Sequence, residues 1–283
     1  MNNVIEIKKV SKAYANFQLK NVDFCVPKGS IVGLVGQNGA GKTTLIKIIL
    51  EIIHKDSGEV IFWDNVAPFL AKQEIGVVLD DSFFPEILKI NDIRIIMKNI
   101  YASWDDALFS EYLKKFQLVN NQPLKELSKG MRKKLEIITA LAHHPKLLIL
   151  DEPTSGLDPV VRNEILDLFL EFIEDGEHSI LFSSHITSDL ETVADYIVFI
   201  HDGSLVFEEA VEVILSEYGI IRCGNEEQVD VDSSNVICQC KEKYQTSILV
   251  KNKEKINNKH KELVIDKATI EDIMLMYVKG DRK

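Results

Sequence analysis

IVGLVGQNGAGKTT, residues 31–44, decides the fold. Its first five residues are an apolar run that leads into glycine, the pattern of a buried strand. Gly36-Gln37-Asn38-Gly39-Ala40-Gly41-Lys42-Thr43 then matches G-x-x-x-x-G-K-[ST]. Apolar residues follow at Leu45, Ile48, Ile49, Ile52 and Ile53, which predicts one face of a helix. A strand, a glycine loop and a helix N-terminus in this order form a phosphate cradle. Glycine lets the backbone close around a polyphosphate, and the peptide N–H groups of Gly36, Asn38, Gly39, Ala40 and Gly41 then face the anion. Lys42 is expected to reach the β- and γ-phosphates, and the Thr43 hydroxyl to ligate Mg²⁺. Thr44 is expected on the α-phosphate side. A nucleoside triphosphate such as ATP, with Mg²⁺, is therefore the expected ligand pair.

A second apolar run, Leu147-Leu148-Ile149-Leu150, leads straight into Asp151-Glu152. A strand this apolar belongs in the middle of a sheet, and its carboxyl end opens on the same crevice as the phosphate loop. Asp151 is expected to hold Mg²⁺ through water, and Glu152 to orient or deprotonate the attacking water.

Outward from these two strands the chain alternates. Residues 4–10 and 20–26 read as half-buried strands, Pro27-Lys28-Gly29 as a turn, and 59–63 as a strand after the Ser57-Gly58 break. Residues 82–143 have helical period, and short buried strands return at 147–150, 179–183 and 196–200. Strands separated by helices predict an α/β core with parallel strands and a helical insertion. From about 208 the texture changes to polar strands around a loop, KNKEKINNKHK at 251–261. A last helix is expected near Thr269, where Thr269-Ile270-Glu271-Asp272 reads as a capping box. The expected division is 1–207 as the ATPase unit and 208–283 as a small α+β accessory unit.

Three further segments sharpen the reading: Leu127-Ser128-Lys129-Gly130-Met131, Ser155-Gly156-Leu157-Asp158, and Ser184-His185 after the third buried strand. In this order and spacing residues 4–207 resemble an ABC-type ATPase. The resemblance implies a P-loop core with an N-terminal antiparallel β subdomain, and two such units facing head to tail. It implies that Ser128 and Gly130 contact the γ-phosphate held by the other subunit. It makes Asp158 a dimer contact, His185 a switch residue near the γ-phosphate, and Tyr14 the aromatic that stacks on adenine. Ser128 also opens a helix patterned Met131, Leu135, Ile138 and Ala142, so its N-terminus can present N–H groups to an anion.

Two positions depart from the family pattern. Asp80 stands where a glutamine is usual; its oxygen can ligate Mg²⁺. Lys129 replaces the first signature glycine, and Met131 the glutamine. The signature LSKGM, LDDS at 79–82 and SWDDALFSEYLKKF at 103–116 resemble bacterial ABC-2-type exporter ATPases, including those that export antimicrobial peptides or confer bacitracin-like resistance. That likeness implies an integral membrane subunit, a second ATPase subunit, and a place on the inner face of the cell membrane.

Composition limits the alternatives. With 33 basic and 44 acidic residues the net charge is −11, a poor basis for nucleic-acid binding, which is mostly electrostatic. No apolar run reaches the roughly 18 residues of a membrane span. Cys25, Cys223, Cys238 and Cys240 form no CxxC pair, and reduced thiols are expected. Arg132, Lys133 and Lys134 read as a solvated helix face, and the lysines between 241 and 261 as a solvated loop. Trp104 lies in the segment expected to dock a partner; its other reading is local core. His143-His144 closes a helix. Soluble ABC classes remain as rivals. Translation-type members normally carry two cassettes, whereas one P-loop is present here, and coiled-coil members need sustained heptads that are missing. A binding module without turnover would not need Glu152 and His185.

Overall fold

The computed structural model describes residues 3–63, 66, 68–80, 84–225, 231–261 and 263–282. Its central sheet runs Ile75–Val78, Leu147–Asp151, Ser179–Ser184, Ile31–Val35, Tyr196–His201, Ser204–Ala210 in spatial order. The first five strands are parallel and the last pairs antiparallel to Tyr196–His201. Both faces are covered, which is why these strands are apolar without alternation. Leu148 and Leu150 point into the layer holding Ile165 and Phe169 of the helix Pro159–Ile173. Leu147 and Ile149 point the other way, toward Leu45, Ile46 and Ile49 of the helix Lys42–Ile49. A three-stranded antiparallel sheet, Gln18–Pro27, Asn3–Ala13 and Ser57–Phe62, closes over that second face through Ile5, Val22 and Val26.

The helix after the phosphate loop is shorter than its apolar period predicts. It ends at Ile49; Leu50 caps it, and Ile52 is 57% exposed. The chain turns there because Ile52 and Ile53 both donate backward to Lys47 O, at 2.9 and 3.1 Å.

The insertion is helical as expected, with helices Ile90–Ile100, Asp106–Lys115 and Lys129–Leu141 packed through Ile93, Phe109, Leu113, Leu135 and Ile138. Asp105 caps the second of these by accepting from Ala107 N and Leu108 N. Trp104 belongs to this small core: its ring centroid is 5.1 Å from that of Phe109, and Nε1 donates to Asp106 Oδ1 at 2.9 Å. Residues 81–83, which include part of the LDDS segment, lie outside the described residues.

The basic run is not a solvated face. Arg132 donates to Leu124 O at 3.2 Å, Lys133 is buried, and Lys134 pairs with Glu164 while standing 5.0 Å over the Phe116 ring. Periodicity missed this because the helix is packed on more than one side.

Past Ala210, a second antiparallel sheet forms from Ile265–Lys267, Gly219–Gly224, Gln245–Val250, Val236–Lys241 and Asp281–Arg282. The lysine-rich stretch expected as a loop contains the helix Lys253–Lys259, because Ile256 is buried against Ile221, Ile248 and Val250. The last helix, Ile270–Lys279, starts at the capping box: Thr269 Oγ1 accepts from Asp272 N and Asp272 Oδ2 from Thr269 N, each at 3.1 Å. Ile270, Ile273 and Met276 bury it in the same layer as Leu190 and Val193 of the helix Thr187–Val193. Among the described residues no helix is long and apolar enough to cross a membrane.

Candidate active site

Strand register sets the site. Val35 lies opposite Ser184 and Asp151 opposite Ser183, so Gly36 and His185 leave the sheet at one level and Glu152 one residue below them. Val78 lies opposite Leu150, so Leu79 and Asp80 leave beside Asp151. The carboxyl edge therefore gathers every motif that follows a parallel strand.

The phosphate loop can only be built from glycine at its contact points. A methyl on Gly36 would fall 2.4 Å from Ile200 O, and Gly41 has φ +113° with Phe17 Cζ 2.8 Å from where a Cβ would stand. Lys42, 6% exposed, donates to Gly36 O at 2.8 Å and stands 3.3 Å from Glu152 Oε1. Its ammonium is thus folded into the loop that would hold phosphate oxygens. Thr43 is exposed on the first helical turn and Thr44 half-buried. Phe17 touches Gly41, and Tyr14, whose N donates to Phe17 O at 2.7 Å, is held on the same turn with its ring partly exposed.

Asp151 is fully buried. Ser183 Oγ donates to its Oδ1 at 2.5 Å, while Oδ2 meets no hydrogen-bond donor among the described residues. A buried carboxylate oxygen without a donor calls for a cation or a water. Together with the hydroxyl of Thr43, that oxygen fits a divalent cation carried on a phosphate. Glu152 adopts φ +50°, a sparsely populated conformation for a residue with a side chain. The same Ser183 holds it there, its Oγ and O accepting from Glu152 N at 3.0 and 3.2 Å. Glu152 Oε2 in turn meets His185 Nδ1 at 2.6 Å. Thr154 Oγ1 donates to buried Asp189 Oδ2 at 2.6 Å, tying the segment after Glu152 to the helix after His185.

Lys42, Asp151, Glu152 and His185 are therefore brought together. Ser128, Gly130 and Asp158 form a second group. Ser128 caps its helix by accepting from Met131 N at 3.2 Å. Gly130 packs on Val161, where a methyl would fall 3.1 Å from Cγ1. Asp158 caps the helix Pro159–Ile173 by accepting from Val160 N and Val161 N. Lys129 lies over Gly156, so its ammonium rests on the loop that ends at Asp158. Asp80 is exposed at the sheet edge. Among the described residues no three His, Cys, Asp or Glu side chains cluster as a metal site by themselves.

Ser183, Thr154 and Asp189 were not singled out by sequence. The one signal available is polar Ser183-Ser184 at the end of an otherwise apolar strand. Nor was the wall supplied by the last helix. A cleft of about 480 Å³ runs from Gly36–Asn38 past His185–Ser188 to Met274, Leu275 and Val278.

Residues 19–155 match the ABC transporter family. The ABC transporter ATP-binding protein YtrB of Bacillus subtilis is 33% identical over 220 residues, 76% of this chain and 75% of that protein. The lantibiotic transport ATP-binding protein SrtF of Streptococcus pyogenes is 33% identical, covering 73% of this chain and 90% of that one. The bacitracin transport ATP-binding protein BcrA of Bacillus licheniformis is also 33% identical, covering 74% and 70%. A solved ATP-binding subunit of an ABC transporter superposes with a TM-score of 0.67 at 26% identity, covering 75% of this chain and 91% of that one. At this identity and coverage the chain belongs to the ABC transporter ATP-binding subunits, the transport-coupled ATPases.

Proposed function

We propose that this ATPase drives export of peptides or other amphipathic antimicrobial compounds through a separate integral membrane subunit, from the inner face of the cell membrane. The observation that carries the cargo class is the 33% identity to transport ATPases named for a lantibiotic and for bacitracin.

Within the site, Gly36–Gly41 and Lys42 bind the phosphates of ATP, Thr44 lies on the α-phosphate side, and Tyr14 stacks on the adenine. Thr43, Asp151 and Asp80 hold Mg²⁺, which when bound neutralises charge on the phosphates. Glu152 accepts the proton of the attacking water, and His185, hydrogen-bonded to its other face, holds the carboxylate in line. Ser128 and Asp158 are separate from this cluster and exposed as helix caps, with Gly130 packed behind Ser128 on Val161, which supports the use of this surface on the nucleotide of a second ATPase subunit. Closure and reopening of that pair would move the helical insertion against the membrane subunit.

The test is co-purification of tagged chain carrying Glu152→Gln from native membranes in mild detergent with ATP, followed by mass spectrometry. A polytopic membrane protein that itself confers resistance to a cationic peptide supports the proposal. Recovery of ribosomes or DNA instead would overturn it.

A further inference from the structure

The helix that opens at Ser128 holds the edge strand Ile75–Val78 at both ends. At its far end, His143 Nε2 lies 3.3 Å from Ile75 O. At its near end, Lys133 Nζ donates to Leu79 O at 3.2 Å. Lys133 also stands 3.1 Å from Glu136 Oε2, and the two side chains are only 8% and 9% exposed. Between the two tethers the strand and helix pack at Gly76, where a Cβ would fall 2.7 Å from Ala140 O, and Val78 shares a buried layer with Ile137 and Ala140. A cavity of about 200 Å³ opens beside this contact, lined by Val77, Leu79, Thr139 and Ala140 among others. The polar links add to this packing at the two ends of the strand.

A buried ammonium–carboxylate pair pays heavily in desolvation, and apolar side chains of the same volume are often at least as stabilising. Stability alone is a weak reason for it. Its position is more informative. Leu79 immediately precedes Asp80, and Lys133 lies on the second turn of the helix capped by Ser128. One ammonium joins the carbonyl next to the candidate metal ligand to the helix offered to the second subunit.

We propose that Lys133 is a positioning residue that keeps Asp80 in register with the Ser128 helix, with Glu136 as its buried counter-charge. The metal-binding side of one ATP site and the phosphate-facing end presented to the other then move as one body. This inference rests on the roles given above to Asp80 and Ser128.

The test uses the full chain with Lys133→Met, Lys133→Arg and Glu136→Gln. Two quantities are read: affinity for a fluorescent ATP analogue with and without Mg²⁺, and amide hydrogen exchange over 75–80 without nucleotide. Lys133→Met is expected to keep the metal-free affinity, to lose about tenfold of the Mg²⁺-dependent enhancement, as supporting residues of metal sites do, and to exchange faster over 75–80. Lys133→Arg, which keeps charge and donors, is expected to restore most of both. A Lys133→Met protein that melts earlier but keeps wild-type Mg²⁺ dependence and exchange would overturn the proposal. Where Lys133→Met does not fold, Glu136→Gln decides: the same changes in smaller measure support the tether, and none overturns it. Failure of the wild-type chain to bind nucleotide would sink the ATP-site reading instead, while exchange over 75–80 would still judge the tether.

Discussion

Glu152 is held between two basic side chains: Oε2 lies 2.6 Å from His185 Nδ1, and Oε1 lies 3.3 Å from Lys42 Nζ. The carboxylate is 12% exposed on a backbone at φ +50°. Without these partners such a group would be expensive to keep charged. With them, the Glu152 carboxylate and the Lys42 ammonium form an ion pair. On the proposed reading, phosphate oxygens arriving at Lys42 would take over its charge and release Glu152 toward water.

Gly36 leaves no room for a methyl. Gly36→Ala would set a Cβ 2.4 Å from Ile200 O, a backbone atom that cannot swing away. We expect a loss of about 1–3 kcal/mol, the usual cost of overpacking, visible as a lower urea midpoint with the slope unchanged. Nucleotide affinity should fall with it. A variant as stable as wild type would mean the loop is looser than its contacts indicate.

The last helix owes its start to one hydroxyl. Thr269 Oγ1 accepts from Asp272 N at 3.1 Å, and Ile270 N donates to Glu191 Oε1 at 2.7 Å. Thr269→Ala removes the cap and should cost about 1 kcal/mol. Because this helix walls the cleft beside His185, faster hydrogen exchange should spread to 270–279 and to 187–193. Exchange confined to residues 270–272 would show that the two helices are not coupled.

His143 supplies the pH dependence. Burial pushes its imidazole down to about 4, against a weaker opposing pull from Ile75 O. The unfolded chain, titrating near 6.5, takes up a proton first as pH falls. Stability contributed by neutral His143 is therefore complete above about 6.5 and declines until the folded protein also protonates near 4. The loss over this window is about 3 kcal/mol. Melting temperature against pH should fall more steeply in wild type than in His143→Phe. Parallel curves would place the acid sensitivity elsewhere.

Much of this was legible from local pattern. IVGLV and LLIL are continuous apolar runs because both sheet faces are covered, and Thr269 to Asp272 is a capping box in sequence and in structure. What escaped depended on partners far along the chain. Arg132, Lys133 and Lys134 read as solvent-facing, yet their partners Glu86, Leu79 O and Glu164 come from three other segments. The helix Lys253–Lys259 exists because one residue, Ile256, finds a buried seat, a signal too small for periodicity. Ser183 hydrogen-bonds both acids of the site, and the only mark of it in the sequence is a polar pair ending an apolar strand.

The most direct test of the central claim, that Glu152 is the base of an ATPase built on Lys42, compares wild type and Glu152→Gln in the complex with the membrane subunit. Phosphate release and fluorescent-nucleotide binding would be measured side by side. Glutamine keeps the shape and loses the base, so turnover should fall about a hundredfold or more while nucleotide binding is kept or tightened. Turnover at the wild-type rate, or a loss of binding equal to the loss of turnover, would contradict the assignment.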